Sequence, residues 1–231
     1  MSRPDVAAIL VAGGSSTRFG RPKQFEEIGG LPMYQFVART FSRIESIGRI
    51  VLVGPSAHLA EMTAGMIQFG THTEWSVIEG GESRQESVSK GLSSLSNGTD
   101  VSIVLVHDVA RALIAESIIQ AVIESAREHG AAIVAIPVVD TLKRASDGVV
   151  ESTVSREHLW RAQTPQGARI DLLRKALHEA AELGFQGTDE AELLEQIGVK
   201  PWIVDGSERN FKLTYSEDLE RARAMLADSK S

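Results

Sequence analysis

The chain has 231 residues, of which 42% are hydrophobic and 24% are charged, so it is long enough to bury a core and has the composition of a soluble globular protein. Its 24 basic and 31 acidic residues give a net charge of −7, which argues against a general nucleic-acid-binding surface. The absence of cysteine excludes disulfides, thiolate catalysis and cysteine-ligated zinc. No apolar run approaches the roughly 18 residues of a membrane span and no signal peptide is recognisable, so we expect a cytoplasmic protein.

Short apolar runs alternate with segments of helical periodicity along most of the chain. Strands are predicted at residues 6–11, 49–53, 74–78, 101–106 and 131–138, and helices between them at 32–45, 57–69, 83–95 and 115–129. This alternation predicts an α/β fold, with a mostly parallel sheet covered by helices on both faces. Ligands of such sheets bind beyond the carboxyl ends of the strands.

Residues 139–157 interrupt this alternation. Asp147-Gly148 lies between two extended halves, a pattern that predicts a β-hairpin. Because a lone two-stranded ribbon is marginal in water, we expect this β-arm to pack against a partner, a second copy of the chain. The alternative is an ordinary hairpin at the edge of the sheet. Helices at 169–182, 188–197 and 215–227 and a strand at 200–204 follow, and nothing divides residues 1–231 into two domains.

The segment "ILVAGGSSTRFGRPKQF" (9–25) joins a predicted strand to two glycines and then to Arg18, Arg21 and Lys23. It matches neither a Walker A loop nor the dinucleotide fingerprint GxGxxG. Glycines let backbone N–H groups converge on an anion, while arginine and lysine supply charge-assisted bonds to phosphate oxygens. We interpret the segment as a phosphate-binding loop. A solvated turn whose basic side chains face water is the alternative.

The segment "GGESRQESV" (80–88) begins with a second glycine pair, again at the end of a predicted strand. Ser83 followed by Glu86 predicts a helix N-cap with a capping box. This local structure does not account for Arg84 and Ser87, which lie on the first turn near the carboxyl edge of the sheet. They are therefore candidate ligand-binding residues.

The segment "VLVHDVAR" (104–111) runs from a buried strand into His107 and Asp108. A carboxylate at the end of a strand can hold Mg²⁺ or orient a substrate. Alternatively, Asp108 caps the next helix and pairs with Arg111. A single histidine without a second one at ligand spacing does not predict a metal site.

Seven segments taken in order carry a family resemblance: AGGSSTRFGRPKQF, GGESRQESV, VHDVAR, PVVDTLKR, SREHLWRAQTPQ, TDEAELLE and NFKLTYSEDL. From about residue 6 to residue 223 the chain resembles the 2-C-methyl-D-erythritol 4-phosphate cytidylyltransferases. The resemblance implies a Rossmann-like nucleotidyltransferase domain whose protruding arm, at 139–157, is exchanged across a homodimer. It also implies transfer of CMP from CTP to 2-C-methyl-D-erythritol 4-phosphate in non-mevalonate isoprenoid biosynthesis, with release of pyrophosphate.

Other readings of the same segments stay open. Ribitol 5-phosphate cytidylyltransferases share most of the pattern, and the shortened "RFGRPK" resembles the molybdenum-cofactor nucleotidyltransferases. Ala112 stands where the family usually has proline. A nucleotide-sensing module without chemistry, or a structural α/β protein with incidental surface charge, are the alternatives that are not enzymes.

The resemblance also implies three groups of site residues, and Mg²⁺ or another divalent cation held largely by the CTP phosphates and water. The catalytic cations would be Arg18, Lys23 and Lys212. CTP would bind to Ala12, Gly13, Gly14, Ser15, Ser16, Gly81, Arg84 and Ser87. The polyol phosphate would bind to Asp108, Arg111, Thr141 and Arg156, and Asp108 is also the candidate metal ligand.

Overall fold

The computed structural model describes residues 4–13, 22–68, 73–95 and 100–228. Its strands are β1 (Val6–Val11), β2 (Glu27–Ile28), β3 (Leu31–Pro32), β4 (Ile47–Gly54), β5 (Glu74–Glu79), β6 (Ile103–Asp108), β7 (Ala131–Pro137), β8 (Leu142–Ser146), β9 (Val149–Val154), β10 (Trp160–Arg169) and β11 (Trp202–Asp205). Its α-helices are α1 (Met33–Ser42), α2 (Leu59–Ile67), α3 (Arg84–Ser94), α4 (Glu116–His129), α5 (Ile170–Leu183), α6 (Glu190–Gln196) and α7 (Ser216–Asp228).

Seven strands form the main sheet in the order β11-β7-β10-β6-β1-β4-β5. All neighbours are parallel except β10, which runs antiparallel to β6 and β7, so the predicted mostly parallel sheet is confirmed. In the register of the central strands, Val11 lies opposite both Val53 and Asp108. The carboxyl ends of β1, β4 and β6 therefore meet at one edge, the place where a ligand is expected.

Strand β1 shows how the sheet is covered on both faces. Val6, Ala8 and Leu10 belong to one core cluster, together with residues of α1, α2, α4 and α7. Ala7 and Ile9 belong to the other, together with residues of α3, α5 and α6. Because side chains alternate along a strand, a continuous apolar run is what a strand buried on both faces requires. None of the helices in the described ranges is both long and apolar enough to cross a bilayer.

Strand β10 is not among the predicted strands, although it lies near the middle of the sheet. It contains Pro165 and Gly167, residue types that usually argue against a central strand. The pairing of β10 with β7 is irregular between Ala162 and Gln166. Pro165, which has no N–H to donate, falls inside this interruption, so the ladder loses no hydrogen bond there. An antiparallel insertion also breaks the alternation of strand and helix from which the other strands are predicted.

The hairpin predicted at 139–157 is present as the antiparallel pair β8–β9, joined at Asp147-Gly148. Both turn residues have positive φ, +50° and +79°, as a tight two-residue hairpin turn requires. The pair forms a separate two-stranded sheet, and most of its side chains are exposed, among them Val149 and Val150.

The predicted cap of α3 is also present. The Ser83 hydroxyl accepts a hydrogen bond from the backbone N–H of Glu86 at 3.0 Å. The Glu86 carboxylate accepts from the backbone N–H of Glu82 at 2.8 Å, one residue earlier than in the usual capping box. The first bond satisfies an N–H group that the first turn of a helix leaves without a partner, and the second ties the residue before the cap to that turn.

Replacing Ser83 with alanine removes this cap and is expected to lower the free energy of unfolding by about 1 kcal/mol. For a chain of this size that corresponds to a melting temperature lower by roughly 2–4 °C, measured by thermal denaturation. Ser93→Ala, an exposed position on the same helix, is the matched control. Equal melting temperatures for the two variants would show that the cap does not contribute to stability.

Candidate active site

Asp108, the last residue of β6, is the centre of an ion-pair cluster at the carboxyl edge of the sheet. Its Oδ1 accepts from Arg84 Nε at 2.9 Å and its Oδ2 from Lys212 Nζ at 2.7 Å. The three residues lie far apart in the chain, at the end of a strand, at the start of α3 and in the loop before α7. The structure thus brings together one residue from each of the three predicted groups. Asp108 does not form a side-chain pair with Arg111, so that alternative is wrong.

Arg84 has a second partner that is not among the predicted site residues. Its Nη1 and Nη2 donate to the two carboxylate oxygens of Glu190 at 2.7 and 3.0 Å. Glu190 is the first residue of α6 and is 2% exposed. The cluster of Arg84, Asp108, Lys212 and Glu190 therefore holds two cations and two carboxylates, and is neutral as a whole.

The opposite charges in this cluster keep Asp108 and Arg84 ionised although burial opposes both charges. Burial would raise the pKa of Asp108, but the adjacent charges of Arg84 and Lys212 hold that pKa well below its usual range. Burial would likewise lower the pKa of Arg84, and the two carboxylates raise it above its usual value. Asp108 is consequently an anion at any physiological pH and accepts hydrogen bonds without donating them.

Lys23 reaches the same region from the other side. It begins a 3₁₀ turn at Lys23–Phe25, directly after the glycine-rich segment. Its Nζ donates to the backbone carbonyl of Leu213 at 3.0 Å, and Leu213 follows Lys212 in the chain. The backbone N–H of Leu213 in turn donates to the carbonyl of Ala110 at 2.8 Å. Lys23, one predicted catalytic lysine, is therefore held by the residue that directly follows Lys212, the other.

The start of the glycine-rich segment leaves β1 beside the cluster. The backbone N–H of Ala12 donates to the carbonyl of Val53 at 2.8 Å, which continues the pairing of β1 with β4. Among the described residues, no atom lies within 4 Å of the position that a Gly13 side chain would occupy. The described residues thus leave the space beside Gly13 unfilled. Four further predicted site residues, Gly14, Ser15, Ser16 and Arg18, lie outside the described residues.

The second glycine pair lies at the end of β5, beside the start of α3. The backbone N–H of Gly81 donates to the hydroxyl of Ser87 at 3.0 Å, and that hydroxyl donates to the carbonyl of Ser83 at 2.9 Å. A Cβ at position 81 would come within 2.4 Å of the Glu86 side chain. Glycine is therefore required here by close packing, and Gly81 and Ser87 form one small hydrogen-bonded unit.

Hydrogen bonds hold the side chains of Arg111, in the loop that follows β6, and of His107, near the end of β6. Arg111 donates to the backbone carbonyls of Asn210 and Ala162 at 2.9 and 3.3 Å. His107 is fully buried: its Nε2–H donates to the Arg111 carbonyl at 3.2 Å, and its Nδ1 accepts from the Thr164 hydroxyl at 3.0 Å. Burial lowers the pKa of His107 to about 3, so the imidazole is neutral and has a structural role.

Thr141 and Arg156 lie apart from these contacts, at the base of the β8–β9 hairpin. Both side chains are exposed, and Arg156 donates to the backbone carbonyl of Val139. No contact within the described parts of the chain joins either residue to Asp108 or Arg111. Their predicted role in binding the polyol phosphate stays a prediction.

The donor set fits a divalent cation only when the nucleotide brings most of its ligands. The described residues include no group of three His, Asp or Glu side chains that could hold a metal. Of the two carboxylates in the cluster, Glu190 is bound by Arg84 through both oxygens, and both oxygens of Asp108 also accept from cations. Mg²⁺ commonly binds through one or two carboxylates, substrate phosphates and water. Asp108 can supply the carboxylate ligand, and the phosphates and water would supply the others.

Three buried residues of the site were not predicted from the sequence: Thr164, Glu190 and Asn210. The Thr164 hydroxyl accepts from the backbone N–H of Asp108 at 3.1 Å. Asn210 Nδ2 donates to the carbonyl of Thr164 at 2.8 Å. In the sequence Glu190 follows a helix-capping aspartate, a position where an acidic side chain is expected because it stabilises the N-terminal end of the helix dipole. The sequence feature that could have indicated these three residues is their position inside TPQ, TDEAELLE and NFKLT, which are parts of the segments that carry the family resemblance.

Comparison with known proteins identifies the family. The family model described as 2-C-methyl-D-erythritol 4-phosphate cytidylyltransferase matches residues 6–228. The enzyme of that name from Acidobacterium capsulatum is 38% identical over 238 residues, which cover 98% of this chain and 99% of the relative. The bifunctional enzyme IspD/IspF of Desulfotalea psychrophila is 41% identical over 97% of this chain, which spans 57% of the length of that relative.

The solved structures agree with the sequence comparison. The crystal structure of 4-diphosphocytidyl-2C-methyl-D-erythritol synthase from Anaerococcus prevotii superposes with a TM-score of 0.84 at 26% identity, covering 96% of each chain. The expected nucleotidyltransferase-type fold is therefore confirmed. With this fold, an edge that carries Asp108, Arg84 and both lysines, and a family match over nearly its whole length, the chain belongs to the 2-C-methyl-D-erythritol 4-phosphate cytidylyltransferase family.

Proposed function

We propose that this chain transfers CMP from CTP to 2-C-methyl-D-erythritol 4-phosphate and releases pyrophosphate, at the carboxyl edge of its sheet. The observation that carries the proposal is the contact between Lys212, Asp108 and Arg84 at that edge, in a chain that matches the cytidylyltransferase family over residues 6–228. The chain is thus a nucleotidyltransferase of isoprenoid biosynthesis. The relative from Acidobacterium capsulatum is named for this reaction alone, which favours 2-C-methyl-D-erythritol 4-phosphate as the acceptor over ribitol 5-phosphate or a molybdenum-cofactor precursor.

The reaction is an in-line displacement at phosphorus. An oxygen of the acceptor phosphate forms a bond to the α-phosphorus of CTP. The bond from that phosphorus to the oxygen bridging the α- and β-phosphates breaks, and pyrophosphate leaves with the electron pair. Because the acceptor phosphate is already an anion near neutral pH, no general base is needed. This agrees with the site, where Asp108 is ion-paired and His107 is neutral and buried.

The barrier lies in bringing two polyanions together and in stabilising the charge that develops on the phosphate oxygens. We assign this work to Lys23 and Lys212, together with Arg18. Lys212 is held by Asp108 on the acceptor side, while Lys23 follows the glycine-rich segment on the nucleotide side. A cation fixed in advance stabilises the transition state without reorganising as the reaction proceeds.

The remaining assignments divide the site into two halves. CTP lies against the backbone at Ala12 and Gly13 and against Gly81, Arg84 and Ser87; among the described residues nothing fills the space beside Gly13. Mg²⁺, when bound with the triphosphate, neutralises part of its charge and polarises the phosphate that is attacked. The acceptor is bound by Asp108, Arg111, Thr141 and Arg156.

The acceptor half includes residues at the base of the β8–β9 hairpin, which we propose to be the arm of a homodimer. The exposed valines Val139, Val149 and Val150 support this proposal, since a two-stranded ribbon with apolar side chains is stabilised by packing against a partner. Thr141 and Arg156 would then serve the site of the second copy, or be completed by it.

Pyrophosphate release measured with CTP and each acceptor tests the proposed reaction. Release with 2-C-methyl-D-erythritol 4-phosphate, and not with ribitol 5-phosphate, is expected, and ATP, GTP and UTP should be poorer donors. Release with ribitol 5-phosphate alone would assign the other acceptor. CTP binding without turnover of any acceptor would favour a nucleotide-sensing module, and no nucleotide binding at all would favour a structural protein.

Replacing Asp108 with asparagine tests its place on the acceptor side. A hydrogen bond to a charged group contributes about 1.5–3 kcal/mol, so its loss is expected to raise the KM for the acceptor roughly tenfold or more. The dissociation constant for CTP, measured by calorimetry, should change much less. An equal loss on both sides would contradict this assignment of Asp108.

A further inference from the structure

Glu190 is a buried charged residue to which the mechanism above gives no role. It is 2% exposed, and both of its oxygens accept from Arg84. Burial raises the pKa of Glu190, while the charge of Arg84 opposes that rise. A carboxylate placed inside a protein is costly unless it is paired and hydrogen-bonded, so the two-point pairing with Arg84 is needed to keep the buried Glu190 charged.

The fold fixes Glu190 independently of Arg84. Asp189, the N-cap of α6, accepts from Gln166 Nε2 at 2.9 Å through its second oxygen. Gln166 Oε1 accepts from the backbone N–H of Ala191 at 2.9 Å. Gln166 belongs to β10, the strand paired with the one that ends at Asp108. The start of α6 is therefore tied to the same part of the sheet as Asp108, and Glu190 acts as a fixed acceptor.

The position of Glu190 determines which nitrogens of Arg84 bind Asp108. A guanidinium can form a fork of two parallel bonds to one carboxylate. Here the terminal nitrogens of Arg84 are directed to Glu190, and only Nε is directed to Asp108. One oxygen of Asp108 remains for Lys212, at 2.7 Å. Without Glu190, Arg84 is free to turn its fork onto both oxygens of Asp108 and to displace Lys212.

We infer that Glu190 is a positioning residue: by holding the terminal nitrogens of Arg84, it keeps one oxygen of Asp108 available to anchor Lys212 beside the reacting phosphates. The inference rests on the proposed function, because the importance of Lys212 derives from that reaction. Glu190 itself contacts neither substrate and acts on Lys212 through the side chains of Arg84 and Asp108.

Glu190→Gln tests this role, because glutamine keeps the shape of the side chain but removes the charge that holds the guanidinium. Displacement of an anchored group costs up to about 100-fold in rate, and kcat is expected to fall roughly 10- to 100-fold. Glu195→Gln makes the same change at an exposed position of the same helix and should alter kcat by less than about twofold. A kcat for Glu190→Gln that equals the control value would overturn the inference.

A double-mutant cycle with Lys212 separates positioning from a general loss of structure. If Glu190 acts through Lys212, adding Glu190→Gln to Lys212→Ala should lower kcat by less than about threefold further, since independent sites would instead combine additively. Full additivity of the two losses would mean that Glu190 acts by another route, and the inference would be wrong.

A crystal structure of Glu190→Gln tests the contacts of Arg84 and Lys212 with Asp108 without a measurement of activity. We expect Arg84 to face both oxygens of Asp108 and the Lys212 ammonium to lie beyond hydrogen-bond distance from it. A Lys212 ammonium that keeps its 2.7 Å contact with Asp108 would overturn the inference. If Glu190→Gln does not fold, Glu190→Asp is used with the same expectation, because its shorter side chain withdraws the carboxylate from the terminal nitrogens of Arg84, which are now 2.7 and 3.0 Å from it. An inactive wild-type protein would refute the proposed function, whereas this structure would still decide the geometric inference.

Discussion

Lys212→Ala is expected to lower kcat by about 10²–10³-fold, equivalent to roughly 3–4 kcal/mol of transition-state stabilisation, by analogy with the loss of one oxyanion-hole donor. The physical reason is that the Lys212 ammonium is anchored on Asp108 at 2.7 Å and is still exposed to a ligand on its other side. Removing it leaves the charge that develops on the phosphate oxygens without one of its fixed cations. Steady-state kinetics with varied CTP and acceptor measures the effect.

The change should leave the fold intact, since Asp108 keeps its bond to Arg84. A thermal midpoint within about 2 °C of wild type is expected, as for most exposed substitutions in a chain of this size. Lys175→Ala is the matched control, because Lys175 is also an exposed lysine paired with a carboxylate, that of Glu179 at 3.7 Å. Wild-type turnover in Lys212→Ala would remove this lysine from the mechanism.

Lys23→Ala should cause a loss of similar size, about 10²–10³-fold in kcat, but with a different pattern. Lys23 lies at the end of the glycine-rich segment, on the side that we propose for the nucleotide, so we expect the dissociation constant for CTP to rise together with the fall in kcat. Lys23→Arg should not restore activity, because a planar fork on a longer side chain does not replace a compact ammonium. Calorimetric titration with CTP and single-turnover kinetics separate binding from chemistry.

Lys200→Ala, an exposed lysine in the loop before β11, is the control for Lys23→Ala and should keep wild-type kinetics. A Lys23→Ala protein that turns over normally would contradict the catalytic role. Unchanged CTP affinity with a lowered kcat would place Lys23 on the acceptor side, together with Lys212.

Which residues form the site is more predictable from the sequence than which of them contact each other. Short segments of the sequence, through their resemblance to the family, predict Asp108, Arg84 and Lys212 as site residues, and the structure joins the three directly. Glu190 was missed because an acidic residue in the first turn of a helix is expected for reasons of local stability. Its pairing with Arg84 spans 106 positions in the chain, a separation at which residue spacing carries no information.

The parallel core of this protein is predictable from the sequence, since apolar runs and helical periodicities reflect the burial of each segment locally. Strand β10 shows the limit: its proline is tolerated only because the pairing with β7 is interrupted at that point, which is a property of the neighbouring strand. The neutral cluster around Asp108 was likewise decided by the tertiary structure alone. A buried ion pair depends on distances of a few ångströms between distant segments, and only the folded chain sets those distances.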